Sequence, residues 1–256
     1  MKLLENSLTF NVKNIDGSEQ TSIVDVSRAL FARHTSRDTA TTTRILDGVR
    51  DEGYHAHLNP SICGKSRYLL TQEDAIEVQG RHTSGEVEIV AITGSSGLLI
   101  SVGSDHNDRS LEYMWTEALG KIFDSAKSKQ MVPAVVAREA WRYEDVEAHW
   151  DRLVLRSYVT VDGSEIPYQE FELEKLIHLE THLVEDRMRD VGSVLFGGTA
   201  SPLPTVPANV FQFGRVTEDT VFPLNFRFEV YDPIVDRTIP HGYEVRPIEE
   251  IGSLSL

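Results

Sequence analysis

The sequence predicts an α+β domain rich in antiparallel sheet. Two features carry this reading: strand-like segments meet at turn signals, and helical periodicity is confined to a few stretches. A third is the order of the segments, which lacks the regular strand–helix alternation of a parallel α/β sheet. The 256 residues are 40% hydrophobic and 25% charged. That balance is ordinary for a globular chain and supplies enough apolar side chains for one large core.

Taken in order, residues 7–12 and 21–26 alternate apolar and polar about Asp16-Gly17, which predicts a hairpin. Ser27 to Arg50 reads as helix with a break near His34–Ser36. Within it Arg44, Ile45, Leu46 and Val49 recur at helical spacing, and Gly53 ends the run. Residues 58–67 read as a loop, and Thr71, with Asp74 three residues on, reads as a helix cap. EVEIVAI, TGSSG and LLISVG together predict two strands around a five-residue turn centred on Ser95. Asp108 to Lys127 reads as helix from the spacing of Leu111, Met114, Trp115, Ala118, Leu119 and Ile122. Tyr143 to Trp150 suggests a short helix. Leu153–Thr160 and Ile166–Phe171 form strands around Asp162-Gly163, and Leu173 to Arg189 reads as helix. Val194–Phe196 is a short strand before the loop GGTASPLPTVP. Asn209 to Ile248 is strand-rich, with Pro223, Pro233 and Pro240 confining its strands to edges or ends.

The charges are 25 basic against 40 acidic, a net −15. Such a surface repels phosphate backbones, and no local basic patch offsets it, so nucleic acid is not an expected partner. The single cysteine, Cys63, allows neither an internal disulfide nor a cysteine-rich zinc site. No apolar run approaches the ~20 residues of a spanning helix. Glu5, Asn6 and Asn11 interrupt any signal-peptide core. A soluble, cytoplasmic protein with no membrane partner is expected. The absence of a Gly-rich phosphate loop, of G-x-S-x-G and of a Cys–His signature around Cys63 disfavours nucleotide-dependent and serine- or cysteine-nucleophile chemistry.

The sharpest chemical feature is SGEVE, with Glu86 and Glu88. Residues two apart on a strand face one side, so both carboxylates point together and Val87 points into a core. Folding the hairpin about Ser95 sets residue 86 opposite 104 and 88 opposite 102, with Asp105 within a residue or so of the level of Glu86. Three carboxylates that close repel unless protonated or bridged by a cation, and the cation they suit is Mg²⁺, Mn²⁺ or Ca²⁺. A solvated face that is merely acidic fits the same spacing, and the residues alone do not choose between the two.

SGEVE, VGSDHNDRSLE, SKQ and GGTASP, in this order and at these distances, resemble the fumarylacetoacetate hydrolase superfamily. HWDRLVLRSY and DPIVDRTIPHGYEV bring the chain closest to a domain-of-unknown-function family with that fold, over roughly residues 70–245. The resemblance implies an α+β mixed β-sheet roll. It implies an N-terminal hairpin and helical lid over 1–60 and a catalytic domain over 61–256. It implies that Glu86, Glu88 and Asp105 hold Mg²⁺ or Mn²⁺, and that Lys129 stabilises a developing enolate. Gly198 and Thr199 match the family's Gly-Thr loop, which holds a substrate carboxylate or carbonyl, although Ala200 replaces the usual proline. Gln169 matches a pocket glutamine.

Smaller members of the superfamily activate water with a His–carboxylate pair on the lid. Here that implies His34 and Asp38, which share a face if their stretch is helical; Asp38 could equally pair with Arg33 or Arg37 or cap a following helix. His106, beside Asp105, is a second candidate base or substrate contact, and Arg67 is a candidate partner for a substrate carboxylate. His55-Ala-His57 has zinc-like spacing but no third ligand, and Trp115 and Trp141 read as core. The implied activity is metal-dependent hydrolysis of a C–C bond in a 1,3-dicarbonyl or 2-oxo acid through a metal-bound enolate. The alternatives are a lyase on the same site (2-oxo-acid decarboxylase, hydratase or tautomerase) and a non-catalytic small-molecule-binding module. A homodimer is the family-level expectation.

Overall fold

The computed structural model describes residues 6–54, 61–116, 120–183, 189–213 and 216–248. Thirteen main strands build two sheets. The first runs through β1 (Ser7–Lys13), β2 (Glu19–Asp25), β3 (Arg28–Arg33) and β4 (Ser61–Lys65). After β5 (Ala75–Gln79) come β6 (Val87–Gly94), β7 (Gly97–Ser104) and β8 (Glu139–Arg142). The later strands are β9 (Val154–Val161), β10 (Ser164–Glu172), β11 (Ser193–Phe196), β12 (Asn225–Asp232) and β13 (Arg237–Ile248). Among the described residues one helix, α1 (Thr39–Asp51), is longer than two turns.

The ten-stranded sheet has the order β2-β1-β8-β7-β6-β11-β3-β4, with two short strands at Leu70–Thr71 and Ala134–Val136 beside β7. Its ladders are mixed, since β1–β8 and β11–β3 are parallel and the others on the path antiparallel. The five-stranded sheet has the order β10-β9-β12-β13-β5. Pro240 lies where β13 pairs with β12 alone, before the pairing with β5 begins at Glu244, so its missing N–H breaks no ladder there.

Side-chain alternation on β6 sends Val87, Ile89 and Ala91 into one apolar cluster, and Val90 and Ile92 into another. The first cluster joins the two sheets, with Phe226, Phe228 and Val230 of β12. The second lies on the opposite face of the large sheet, with Phe31 stacked on Phe196 at 4.3 Å. Both faces of the central strands are therefore buried. Trp141 is buried, as expected; His55 and His57 lie outside the described residues.

Several expected helices are not formed, and tertiary pairing explains each. Arg28–Arg33 is a strand because it fits between β11 and β4, where Ala29 and Phe31 fill one cluster and Leu30 and Ala32 the other. Between Asp108 and Lys127 a single turn, Arg109–Glu112, is followed by antiparallel strands Tyr113–Thr116 and Gly120–Phe123, then a short helix Ser125–Gln130. Short apolar runs rich in aromatic and β-branched residues are ambiguous between the two periods. Past Leu173 the described residues make a 3₁₀ turn and the four-residue helix Leu179–His182; 184–188, also expected to be helical, lie outside the described residues. Between them Leu176 bridges Ser36, and the Ile177 N–H donates to the Thr35 carbonyl at 2.6 Å. Thr71 caps no helix: it ends a two-residue strand and its Oγ1 accepts from the Glu73 N–H.

Candidate metal centre

The β6–β7 turn is tighter than the five residues expected. Gly94 pairs with Gly97, so only Ser95 and Ser96 lie between the strands. Gly97 takes the turn's positive φ, +125°. The register shifts by one relative to a fold centred on Ser95: Glu88 faces Gly103, and Val87 faces Ser104. That shift brings Asp105 level with Glu86, and the Asp105 N–H donates to the Glu86 carbonyl at 3.0 Å. Ligand atoms of Glu86, Glu88 and Asp105 lie within 4.8 Å of one another, all three residues buried.

Each carboxylate is held through one oxygen. Arg109 Nη2 donates to Glu86 Oε1 at 2.6 Å, and the Gly198 N–H donates to Glu88 Oε2 at 2.7 Å. Lys129 Nζ is bonded to Asp105 Oδ2. The other Asp105 oxygen, Oδ1, is fully buried with no hydrogen-bond partner among the described residues. A buried, unpaired carboxylate oxygen is costly in an isolated protein and is the ligand a hard cation takes. The residues therefore fit Mg²⁺, Mn²⁺ or Ca²⁺ between Glu86, Glu88 and Asp105.

The electrostatics agree. Burial pushes the Glu88 carboxyl well above its usual range, and the negative charge of Asp105 adds to the push. Burial acts the same way on Glu86, but the Arg109 and Lys129 charges outweigh it and hold Glu86 low. Burial would discharge Lys129; Asp105, Glu86 and Glu88 outweigh that and raise it above an ordinary lysine. The centre is thus an acid-rich site with one ammonium fixed in contact.

A cavity of about 910 Å³ opens over this centre. Glu86, Glu88, Lys129, Gly198, Thr199, His34 and Asp38 all line it. Gly198 has φ +90°, and a Cβ there would collide with the Thr35 hydroxyl, so the loop requires glycine. Thr199 Oγ1 donates to the Val87 carbonyl at 2.8 Å. Gln169 is 1% exposed and does not reach the cavity. Its amide instead ties three segments together: Oε1 accepts from the Val87 N–H and Ser157 Oγ, while Nε2 donates to Thr199 Oγ1 and the Ala200 carbonyl.

His34 and Asp38 share the cavity but not a helix. His34 has φ +57°, and Asp38 precedes α1, its carbonyl accepting from the Thr42 N–H at 3.2 Å. Burial lowers the His34 pKa, with the charges of Arg33 and Lys129 adding to it. Two expected substrate contacts are placed elsewhere. His106 is 1% exposed with Nδ1 against Tyr243 Oη at 2.8 Å, and Arg67 donates to the Val26 carbonyl at 3.1 Å; neither lines the cavity. In both cases chain proximity to the acidic hairpin did not give proximity to its open face.

The sequence reading missed Arg109 and Glu112. Arg109 is 1% exposed, binds Glu86, Glu112 Oε2 (2.7 Å) and Ser84 Oγ (2.7 Å), and lies 4.9 Å from the Phe211 ring centroid. The three-residue spacing of Arg109 and Glu112 signals a pair on one turn. Nothing local signals that the guanidinium folds back 23 residues onto Glu86.

A family profile described as a protein of unknown function, DUF2848, matches residues 32–243. No curated protein matches the sequence. Among solved structures, Cg1458 with an inhibitor superposes with a TM-score of 0.60 at 14% identity, over 94% of this chain and 90% of that one. An uncharacterised protein from Mycobacterium abscessus gives 0.55 at 13%, over 90% and 82%. The apo form of 2-keto-3-deoxy-D-arabinonate dehydratase gives 0.53 at 13%, over 96% and 100%. At such identities the likeness is one of fold. The matched span covers most of the chain, which therefore belongs to the DUF2848 family and has the fold of the fumarylacetoacetate hydrolase superfamily.

Proposed function

We propose that this protein is a divalent-metal-dependent enzyme that forms an enolate from a 2-oxo or 1,3-dicarbonyl acid, and that hydrolysis of a C–C bond follows. The observation that carries this is the buried Glu86–Glu88–Asp105 triad, with its unpartnered Asp105 Oδ1, beside a large cavity. Held by these three residues, Mg²⁺ or Mn²⁺ would accept two substrate oxygens and polarise a carbonyl. The chain's own groups supply the rest. The Lys129 ammonium, kept charged, offsets negative charge as it grows on the substrate oxygen. Gly198 and Thr199 border the space a substrate carboxylate would occupy. His34, kept neutral by burial, accepts a proton on an imidazole nitrogen from the attacking water. The water oxygen bonds to the carbonyl carbon, the adjacent C–C bond breaks, and its electron pair becomes the enolate, which is then protonated. Asp38, from the same cavity wall, orients the imidazole.

A second reading keeps the site and ends in elimination or decarboxylation. One solved structure of like fold carries the name of a dehydratase, which favours a lyase. The two are separated by incubating the Mg²⁺-loaded protein with acylpyruvates and 3-deoxy-2-oxo acids. Hydrolysis yields two acids from an acylpyruvate. A lyase releases water or carbon dioxide and leaves acylpyruvates intact. Binding of Mg²⁺ without turnover of either class would leave only a small-molecule-binding module. Residues 1–60 are proposed as the lid-bearing segment and 61–256 as the catalytic part; within the first, α1 lies over the cavity, while β1 and β3 pair into the ten-stranded sheet with β8 and β11. The remaining proposals are a homodimer, tested by light scattering, and a cytoplasmic location; among the described residues no helix is long and apolar enough to cross a membrane.

A further inference from the structure

Among the described residues four non-glycine residues have positive φ. Asp162 and Asp236 occupy the tight turns of the β9–β10 and β12–β13 hairpins, where small polar residues adopt this conformation readily. The other two, His34 (+57°) and Phe213 (+58°), both line the large cavity. A bulky side chain persists in this region only when its surroundings hold it there, and such residues cluster at ligand sites. Phe213 is held by Tyr168, edge-on at 6.3 Å, by Phe211 at 6.2 Å, and by the Arg109 guanidinium 5.2 Å from its ring centroid. It remains half-buried, with the cavity beside it.

The rest of the wall matches that ring. Leu46 and Val49 come from α1, Phe171 and Leu176 from the end of β10 and the turn beyond it, and Leu203 from the loop after Thr199. At about 910 Å³ the cavity stands near the top of the ~300–1,000 Å³ that accommodates drug-sized ligands. A three-carbon oxo acid chelated at the triad would leave most of it empty. The cations on the wall do not call for a second anion. Arg37 is bound to Asp151 through two bonds of 2.9 and 2.6 Å, Arg33 also has a partner, and the acidic Glu170 lines the same cavity as Lys175.

Resting on the oxo-acid reading above, we infer that the substrate is a monocarboxylic 2-oxo acid with an apolar tail of at least four carbons beyond the chelating head, and that Phe213 determines recognition of that tail. The tail lies against Phe213 and Leu203 on one side of the cavity and the α1 leucine and valine on another. Each buried methylene adds roughly threefold to fourfold in affinity.

The test is calorimetric titration of the full-length, Mg²⁺-loaded protein with pyruvate, 2-oxohexanoate, 2-oxodecanoate and the dicarboxylate 2-oxoadipate. The expected result is a Kd falling about threefold per methylene from pyruvate to 2-oxohexanoate and on toward 2-oxodecanoate, with 2-oxoadipate weaker than 2-oxohexanoate. Phe213→Ala, and separately Leu203→Ser, should flatten that slope. A Kd independent of chain length in the wild type, or tighter binding of 2-oxoadipate than of 2-oxohexanoate, would overturn the tail assignment while leaving the oxo-acid head standing. Failure of all four acids to bind, pyruvate included, would overturn both.

Discussion

At the scale of single residues, Lys129 and His34 divide the work, and their environments explain how. Lys129 is bonded to Asp105 and surrounded by three carboxylates, so it stays an ammonium and is no base. Its side chain bears on charge development more than on metal affinity. Lys129→Met is predicted to lower kcat by about 10²–10³-fold. Mn²⁺ affinity should not fall in the same variant, because a positive charge beside the cation is lost; titration calorimetry and steady-state rates check the two halves separately. His34 has the opposite setting. Burial and two nearby cations keep it neutral, so it is ready to accept a proton over the neutral range. It charges only below the ordinary value of 6.5. The activity, kcat/KM, is therefore predicted to be flat near neutrality and to fall with acidification along a limb below that value. His34→Gln should abolish the limb and lower the plateau by about 10²–10⁴-fold. An acid limb unchanged in His34→Gln would assign the base elsewhere.

At the scale of elements, the acidic hairpin and the Gly198–Thr199 loop form one unit. Glu88 accepts from the Gly198 N–H, Thr199 donates to Val87, and Gln169 closes the set from β10. Gly198→Ala would force a Cβ into Thr35 at a φ few L-residues adopt. We expect it to cost at least about 1–3 kcal/mol in urea unfolding and to weaken Mn²⁺ binding, since Glu88 would lose its N–H partner. Much of this unit could be read in the chain. Glu86 and Glu88 share a face by strand geometry alone, and a hairpin brings the next acid back beside them. In the hairpin the turn is shorter than expected, and the resulting one-residue shift places Asp105 closer to Glu86. What periodicity misread were segments decided by distant partners. Arg28–Arg33 is a strand because β11 and β4 flank it, and Leu176–Ile177 leaves helical geometry to meet Thr35 and Ser36. Arg109 was missed for the same reason.

At the scale of the whole molecule, both faces of the central strands β6 and β7 are covered, one by the second sheet and one by the cluster around Phe31 and Phe196. That packing lets a sheet carry three carboxylates at its end without flooding them with water. A divalent cation there would favour the ionised form of Glu88, which burial disfavours. Binding of the cation by the folded state alone would stabilise it by about 2.7 kcal/mol at a hundredfold excess over Kd. A Tm that rises with Mn²⁺ and returns with EDTA is expected, and Asp105→Ala should lose the rise. The most direct measurement is the anomalous difference map of a crystal grown with Mn²⁺ and oxalate. A single strong peak bonded to Glu86, Glu88 and Asp105, with oxalate on its cavity side, is the predicted result. Manganese bound elsewhere, with the three carboxylates protonated or turned onto Lys129 and Arg109 alone, would contradict it.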